Sequence, residues 1–150
     1  MAISNAMCTS FKQEVLQGLH NFTNTTGNAF KIALVKSGGG ARTYGAATTN
    51  LTDLTTATTD ETSGTGYTTG GNTLTNVTPT TSGTTAFTDF ADTSWTSSSF
   101  TASGALIYNS TNGNRAVSTH TFSGDQTVAS GTFTVVFPTP DSTNAIIRIA

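Results

Sequence analysis

The sequence predicts a mainly β protein, an antiparallel β-sandwich or jelly-roll-like domain with one short N-terminal helix. Three observations predict it. Short β-prone runs recur from Gly66 to the C-terminal end, among them "TAFTDFADTSWT", "SFTASGALIYN", "RAVSTHTF", "GTFTVVF" and "NAIIRIA". Clusters of Gly, Asn, Asp, Ser and Pro, such as "NSTNGN", "SGDQ" and "PTPDSTN", separate them as turns do. Only one segment carries helical periodicity, and Thr, a strand former, supplies 35 of the 150 residues. A chain of this length fits one domain, residues 1–150, burying roughly 70% of the surface its unfolded form exposes.

In chain order, residues 1–9 form an N-terminal arm and residues 10–20, "SFKQEVLQGLH", form the helix. Ser10 and Gln13 have capping-box spacing, and Phe11, Val15, Leu16 and Leu19 fall along one face that must dock on the chain's own sheet or on a neighbouring molecule. After the turn-rich "NTTGN", "AFKIALVK" alternates with period two and reads as a strand, Phe30, Ile32 and Leu34 on one face. Residues 37–64 are Gly- and Thr-rich and longer than a connecting loop should be, which predicts a functional loop or an arm ordered by a partner. Around eight strands are expected overall. In "SFTASGALIYN" both faces are partly apolar, which marks a central strand, and Gly104 inside it marks a bulge or a close backbone approach.

Charged residues make up 9% of the chain against about 25% in ordinary globular proteins. With six basic and eight acidic side chains and a net charge of −2, the sequence lacks the basic stripe that direct nucleic-acid binding requires. A surface of Thr, Ser and Asn has little self-repulsion and suits packing against copies of itself or a large partner. Cys8 is the single cysteine, so no intrachain disulfide and no paired-thiolate metal site is expected. No secretion-signal pattern opens the chain and no apolar run is long enough to span a membrane, so synthesis and folding in the cytosol without membrane association or glycans is expected.

The chemistry-bearing patterns are sparse. In "DETSGTGYTTGGNTLTN" the glycines Gly64, Gly66, Gly70 and Gly71 have the wrong spacing for a phosphate loop and no Lys follows; they read as turn glycines, the last two supplying positive φ before a strand. "SGGGAR" likewise reads as a loop. His20 ends the helix, where an imidazolium suits the dipole, and His120 alternates with Phe122 on a strand; neither lies in a catalytic motif, and no Gly-x-Ser-x-Gly elbow is present. Asp89 and Asp92 read as surface turn acids, and Asp60 and Glu61 are adjacent acids in a loop. No cofactor, metal or catalytic residue is assigned, and the protein is expected not to be an enzyme; a hydrolase with His120 as base ranks last. Trp95 reads as core or an interface anchor, and a host-attachment domain that binds carbohydrate would use Trp95 or Tyr67 for stacking.

Taken together, "SFKQEVLQGLHNF", "FKIALV", "SGTGYTTGGNTLTN", "FTDFADTSWTSSSFTASGALIYNS" and "SGTFTVVFPT" resemble a family of small virion structural proteins of tailed bacteriophages, over nearly the whole chain except residues 37–60. The resemblance implies a non-enzymatic particle component, first a capsid decoration (cement) protein bound to the major capsid protein. A tail, baseplate or fibre-base component is the alternative. It further implies a homo-oligomer, with a trimer as the expected number, located in the virion. Candidate interface residues are Phe11, Val15, Leu16, Leu19, Phe22 and Trp95.

Overall fold

The computed structural model describes residues 2–36, 43–55 and 60–150. The protein is mainly β and antiparallel, with two principal sheets and short helices. The elements are β1 (Ala2–Ile3), β2 (Ala6–Met7), α1 (Thr9–Leu16), β3 (Phe30–Val35), β4 (Thr43–Tyr44), α2 (Thr52–Thr55), β5 (Asn72–Thr73), β6 (Asn76–Ser82), β7 (Thr85–Phe90), β8 (Thr93–Asn109), β9 (Arg115–Val135) and β10 (Ile147–Ile149). The five-stranded sheet runs β2-β9-β8-β3-β5, the three-stranded sheet β10-β7-β6, and β1 pairs with β4 in parallel.

The alternating run 30–35 is β3, paired in register with β8 from Phe30↔Asn109 to Val35↔Gly104. β8 is central, as its two apolar faces require, and residues 104–109 are all buried. At Gly104 both expected devices are present. The β8–β9 register shifts between Ala102 and Gly104, and an added Cβ would lie 2.4 Å from the His120 carbonyl and 2.7 Å from Ile3 Cδ1. The two sheets meet through an aromatic seam: Phe22 stacks on Phe30 of β3 at 4.3 Å, and Phe30 meets Phe90 of β7 at 5.7 Å, which in turn meets Phe137. Each buried ring contributes on the order of 2 kcal/mol from area alone.

Several sequence expectations change. The helix is eight residues long and stops at Leu16, because Gly18 turns the chain with φ +73. Its N-cap is Cys8, with no side-chain cap, so Ser10 lies inside the helix and no capping box forms. The arm is ordered within the fold: β1 finds an edge at β4, and β2 pairs with Ser118 and Thr119 of β9. Residues 37–64 are more than a loop, since they supply β4, α2 and the buried anchors Tyr44 and Leu54; residues 37–42 and 56–59 of this segment lie outside the described residues. "SGDQ" does not separate two strands. Ser123 (φ 58) and Gly124 (φ 133) are absorbed as an irregularity between Gly104↔Thr121 and Ala102↔Gln126, and β9 continues through it. Ser97, at φ 50, is taken up in β8 the same way.

Gly71 adopts φ +69 with its Cα pressed on Ile32, so that a Cβ there would collide with the Ile32 carbonyl oxygen at 1.8 Å. Gly83, in the β6–β7 turn, has φ +59 but nothing within 4 Å. Gly71→Ala is therefore expected to cost more than about 3 kcal/mol in urea denaturation, by steric collision as well as strain. Gly83→Ala is expected to cost about 1 kcal/mol, from backbone strain alone. Equal costs at the two positions would contradict the close packing of Gly71 on β3.

Candidate functional surfaces

The stretch 60–76 is built onto the outer edge of β3. Lys36 N donates to the Asp60 carbonyl, Thr62 N to the Leu34 carbonyl and Leu74 N to the Phe30 carbonyl, while Val35 bridges Glu61 and Ile32 pairs with Asn72. The Tyr67 hydroxyl accepts from Leu34 N and donates to Glu61 Oε1 at 2.7 Å; Gly70 N donates to the same oxygen at 2.6 Å. The Tyr108 hydroxyl donates to the Gly70 carbonyl. Gly64, Gly66, Gly70 and Gly71 all take positive φ here, and the first two press on the backbone of Ser98, Ser99 and Phe100. The adjacent acids are divided in role, Asp60 buried with its Oδ2 accepting from the Tyr44 hydroxyl at 2.6 Å, Glu61 holding the glycine turn. The stretch is an edge strap, and its amides at Asp60, Thr62, Tyr67, Gly70, Gly71 and Leu74 donate inside the protein.

A buried polar network fixes α1 to the β8–β9 turn. Glu14 accepts from Arg115 Nη1 and from His20 Nε2, each at 2.8 Å. His20 Nδ1 accepts from the Asn109 amide at 3.0 Å, and that amide also donates to Asn28 Oδ1. With a carboxylate on one nitrogen and an amide donor on the other, His20 is the Nε2–H tautomer and neutral. Burial lowers its pKa, while the hydrogen bond and charge of Glu14 oppose the shift. It lies beyond the helix end, so the imidazolium expected there from the dipole is replaced by a packed ring, 4.8 Å from Phe11. The signal for this network in the sequence is weak, since Glu14 and His20 lie 101 and 89 positions from their partners Arg115 and Asn109.

His120 accepts or donates at Ser118 Oγ, 2.8 Å away, and burial pushes its pKa down to about 4. Neither residue lines the two concavities described below. Asp89 is fully buried rather than a surface acid. Its carboxylate accepts from Phe90 N and Ile146 N, tying the C-terminal segment to β7, and burial raises its pKa against those two donors. Asp92 accepts from Phe137 N. Cys8 is buried and its thiol is pushed up to about 12, chiefly by desolvation, which leaves it unreactive. Among the described residues no three His, Cys, Asp or Glu side chains cluster, and no helix is long and apolar enough to cross a membrane.

Of the candidate interface residues, Phe11, Phe22 and Trp95 are spent in the chain's own core. Trp95 is 3% exposed, edge-on to Phe100 and Phe133 and near Tyr67, so it has no ring face for a sugar. Val15 and Leu19 are half-buried, and Leu16 is 89% exposed. Two concavities carry apolar side chains at the surface. One, of about 590 Å³, runs along the distal half of the β8–β9 hairpin, lined by Phe122, Val128, Phe133, Val135 and Val136 together with Gln126, Thr127, Thr132 and Thr134, with no charged residue. Val136 on it is 72% exposed. The other, of about 140 Å³, lies between α1 and the three-stranded sheet. The alternation of Phe133 and Val135 in "GTFTVVF" carries the signal for the first; the second joins residues from both ends of the chain and has no local signature. No protein-family model, curated protein or solved structure matches the chain.

The two histidines set an acid response. A histidine whose folded pKa lies below its unfolded value of about 6.5 contributes stability that is fully present above that value and is lost as pH falls toward the folded pKa. For His120 the window is from about 6.5 to about 4. The loss there is of order 3 kcal/mol, and His20 adds in the same direction. Asp89, its pKa raised, works the opposite way near its own range. Denaturation midpoints are expected to fall between pH 6.5 and 4, and His120→Gln to flatten the slope. An unchanged slope in that variant would remove His120 as its source.

Proposed function

We propose that this chain is a non-enzymatic structural protein of a tailed-bacteriophage particle, a capsid decoration protein that binds the major capsid protein and stabilises the shell. The observation that carries this reading is the distal hairpin. Residues 93–102 and 126–135 extend past the point where β3 and β2 stop pairing, and along the 126–135 strand lies an open, uncharged groove of about 590 Å³ lined by Phe, Val, Thr and Gln side chains. A groove without charge recruits neither phosphates nor metal ions and matches the surface of another protein. The family resemblance of the motifs in the sequence supports the same reading, and most of those motifs lie on β3, β7, β8 and β9.

Docking of this kind adds apolar contact without charge steering, so occupancy on a shell depends on many weak, repeated contacts. Quantitative mass spectrometry of purified particles is expected to find this chain near one copy per major capsid protein. A few copies per hundred would move it to the tail, baseplate or fibre base, and its absence from particles would overturn the reading. Val136→Lys, at an exposed position in the groove, is expected to lower occupancy while leaving the thermal midpoint unchanged.

A further inference from the structure

We infer that Asn112 is a site of spontaneous modification: its side-chain amide is lost as ammonia through a cyclic imide with the Gly113 nitrogen, and the acid that results releases the end of α1 from the β8–β9 turn. Two observations coincide there. Asn112–Gly113 is the single Asn-Gly pair in the sequence, and every other asparagine precedes a residue whose Cβ crowds attack by the next backbone nitrogen on the amide carbon. Gly113 is exposed at φ +66, with nothing within 4 Å of where a Cβ would lie. The pair also lines an open polar cavity of about 430 Å³ together with Glu14, Asn50 and Arg115, which gives water a route to it.

In the folded chain the amide is latched. Asn112 Nδ2 donates to the Leu19 carbonyl, beyond the end of α1, while Asn112 N donates to Asn109 Oδ1 and the Gly113 carbonyl accepts from Asn50 Nδ2 at 2.8 Å. Attack requires the carboxamide to swing off Leu19 toward the Gly113 nitrogen, so the step proceeds from the state in which the segment after α1 has opened. A bond forms between the Gly113 nitrogen and Asn112 Cγ, the Cγ–Nδ2 bond breaks, and the Gly113 N–H proton leaves with the amide group as ammonia. Water then opens the imide at either carbonyl, giving aspartate or isoaspartate. Neither product donates to Leu19. Its carboxylate faces that carbonyl and competes with Glu14 for Arg115, whose Nη1 holds Glu14 at 2.8 Å, so the latch opens one way. The modification belongs to the chain itself and is independent of any role in a particle.

Peptide mapping by mass spectrometry of the purified full chain, aged at mildly alkaline pH and with isoaspartate resolved from aspartate, tests it. Conversion is expected at Asn112 ahead of every other asparagine, with isoaspartate among the products, since direct hydrolysis of the amide gives aspartate alone. Glu14→Gln is expected to speed it about tenfold, because the new amide places a donor against His20 or Arg115 and loosens α1. Gly113→Ala, whose added Cβ meets no atom and costs only backbone strain, is expected to slow it about tenfold. In Asn112→Asp, hydrogen exchange is expected to rise several-fold over residues 9–20 while the sheet amides stay unchanged. Circular dichroism confirms that each variant folds. Conversion no faster at Asn112 than elsewhere, aspartate without isoaspartate, or a Glu14→Gln chain that converts no faster than wild type overturns the inference, and unchanged exchange in Asn112→Asp overturns the release of α1.

Discussion

The pairing of β3 with β8 is the constraint on which the rest of the structure depends. Both strands are buried on two faces along Val35↔Gly104 to Phe30↔Asn109, so every backbone donor and acceptor on the far side of β3 must be met within the protein. β5 is two residues long and meets only part of that need. The remainder is met by an irregular strap, residues 60–74, using backbone groups at Asp60, Thr62 and Leu74 and the Tyr67 hydroxyl as a surrogate for a strand. This is why glycines crowd the strap: Gly71 must touch the Ile32 carbonyl, and Gly64 and Gly66 must lie against β8 at Ser98 to Phe100. A motif that superficially suggests a ligand loop is the cost of closing a sheet edge without a full strand.

The same economy governs the buried polar groups. Asn109 ends β8, and its amide holds Asn28 and His20, so the loop leading into β3 and the segment leaving α1 are fixed by one side chain. Its Oδ1 accepts from Asn112 N and shapes the turn into β9, where Arg115 returns to Glu14. Removing one member leaves buried partners unpaired, which costs more than the hydrogen bond itself contributes. The network therefore sets the position of α1, and with it the outward direction of Leu16.

Period-two alternation in "AFKIALVK" made β3 legible to within one residue at each end, and the apolar pattern of "SFTASGALIYN" marked a central strand; in both, local sequence and burial agree. The break at Ala91 and Asp92 fell inside "TAFTDFADTSWT", which reads as a single run, and only Asp92 as a turn acid pointed to it. What local pattern could not give is the length of the hairpin. Ser97, Ser123 and Ser130 adopt positive φ inside strands, a conformation that serine does not advertise, so "SGDQ" reads as a turn when it is a bulge. The helix end was misplaced because Gly18 could be tolerated or could terminate, and tertiary contacts of His20 decided for termination. The polar network joins Glu14 to Arg115 and the small groove joins Phe11 to Ile149, and no single-sequence period encodes such pairs.

The sheet edges are poorly suited to strand addition. β6 carries Pro79, which cannot donate to an added strand, and the distal edge of β9 is interrupted at Ser123, Gly124 and Ser130. Continuous strand addition is thereby hindered in a chain whose low charge would otherwise favour it. The large apolar side chains left exposed among the described residues, Leu16, Val136 and Ile149, fall on the helix face and the hairpin groove. With edges blunted and few charges to discriminate partners, specificity has to come from the shape of these two faces. Shape complementarity is lost by a single misfitting side chain, whereas a charged rim would be retuned by salt.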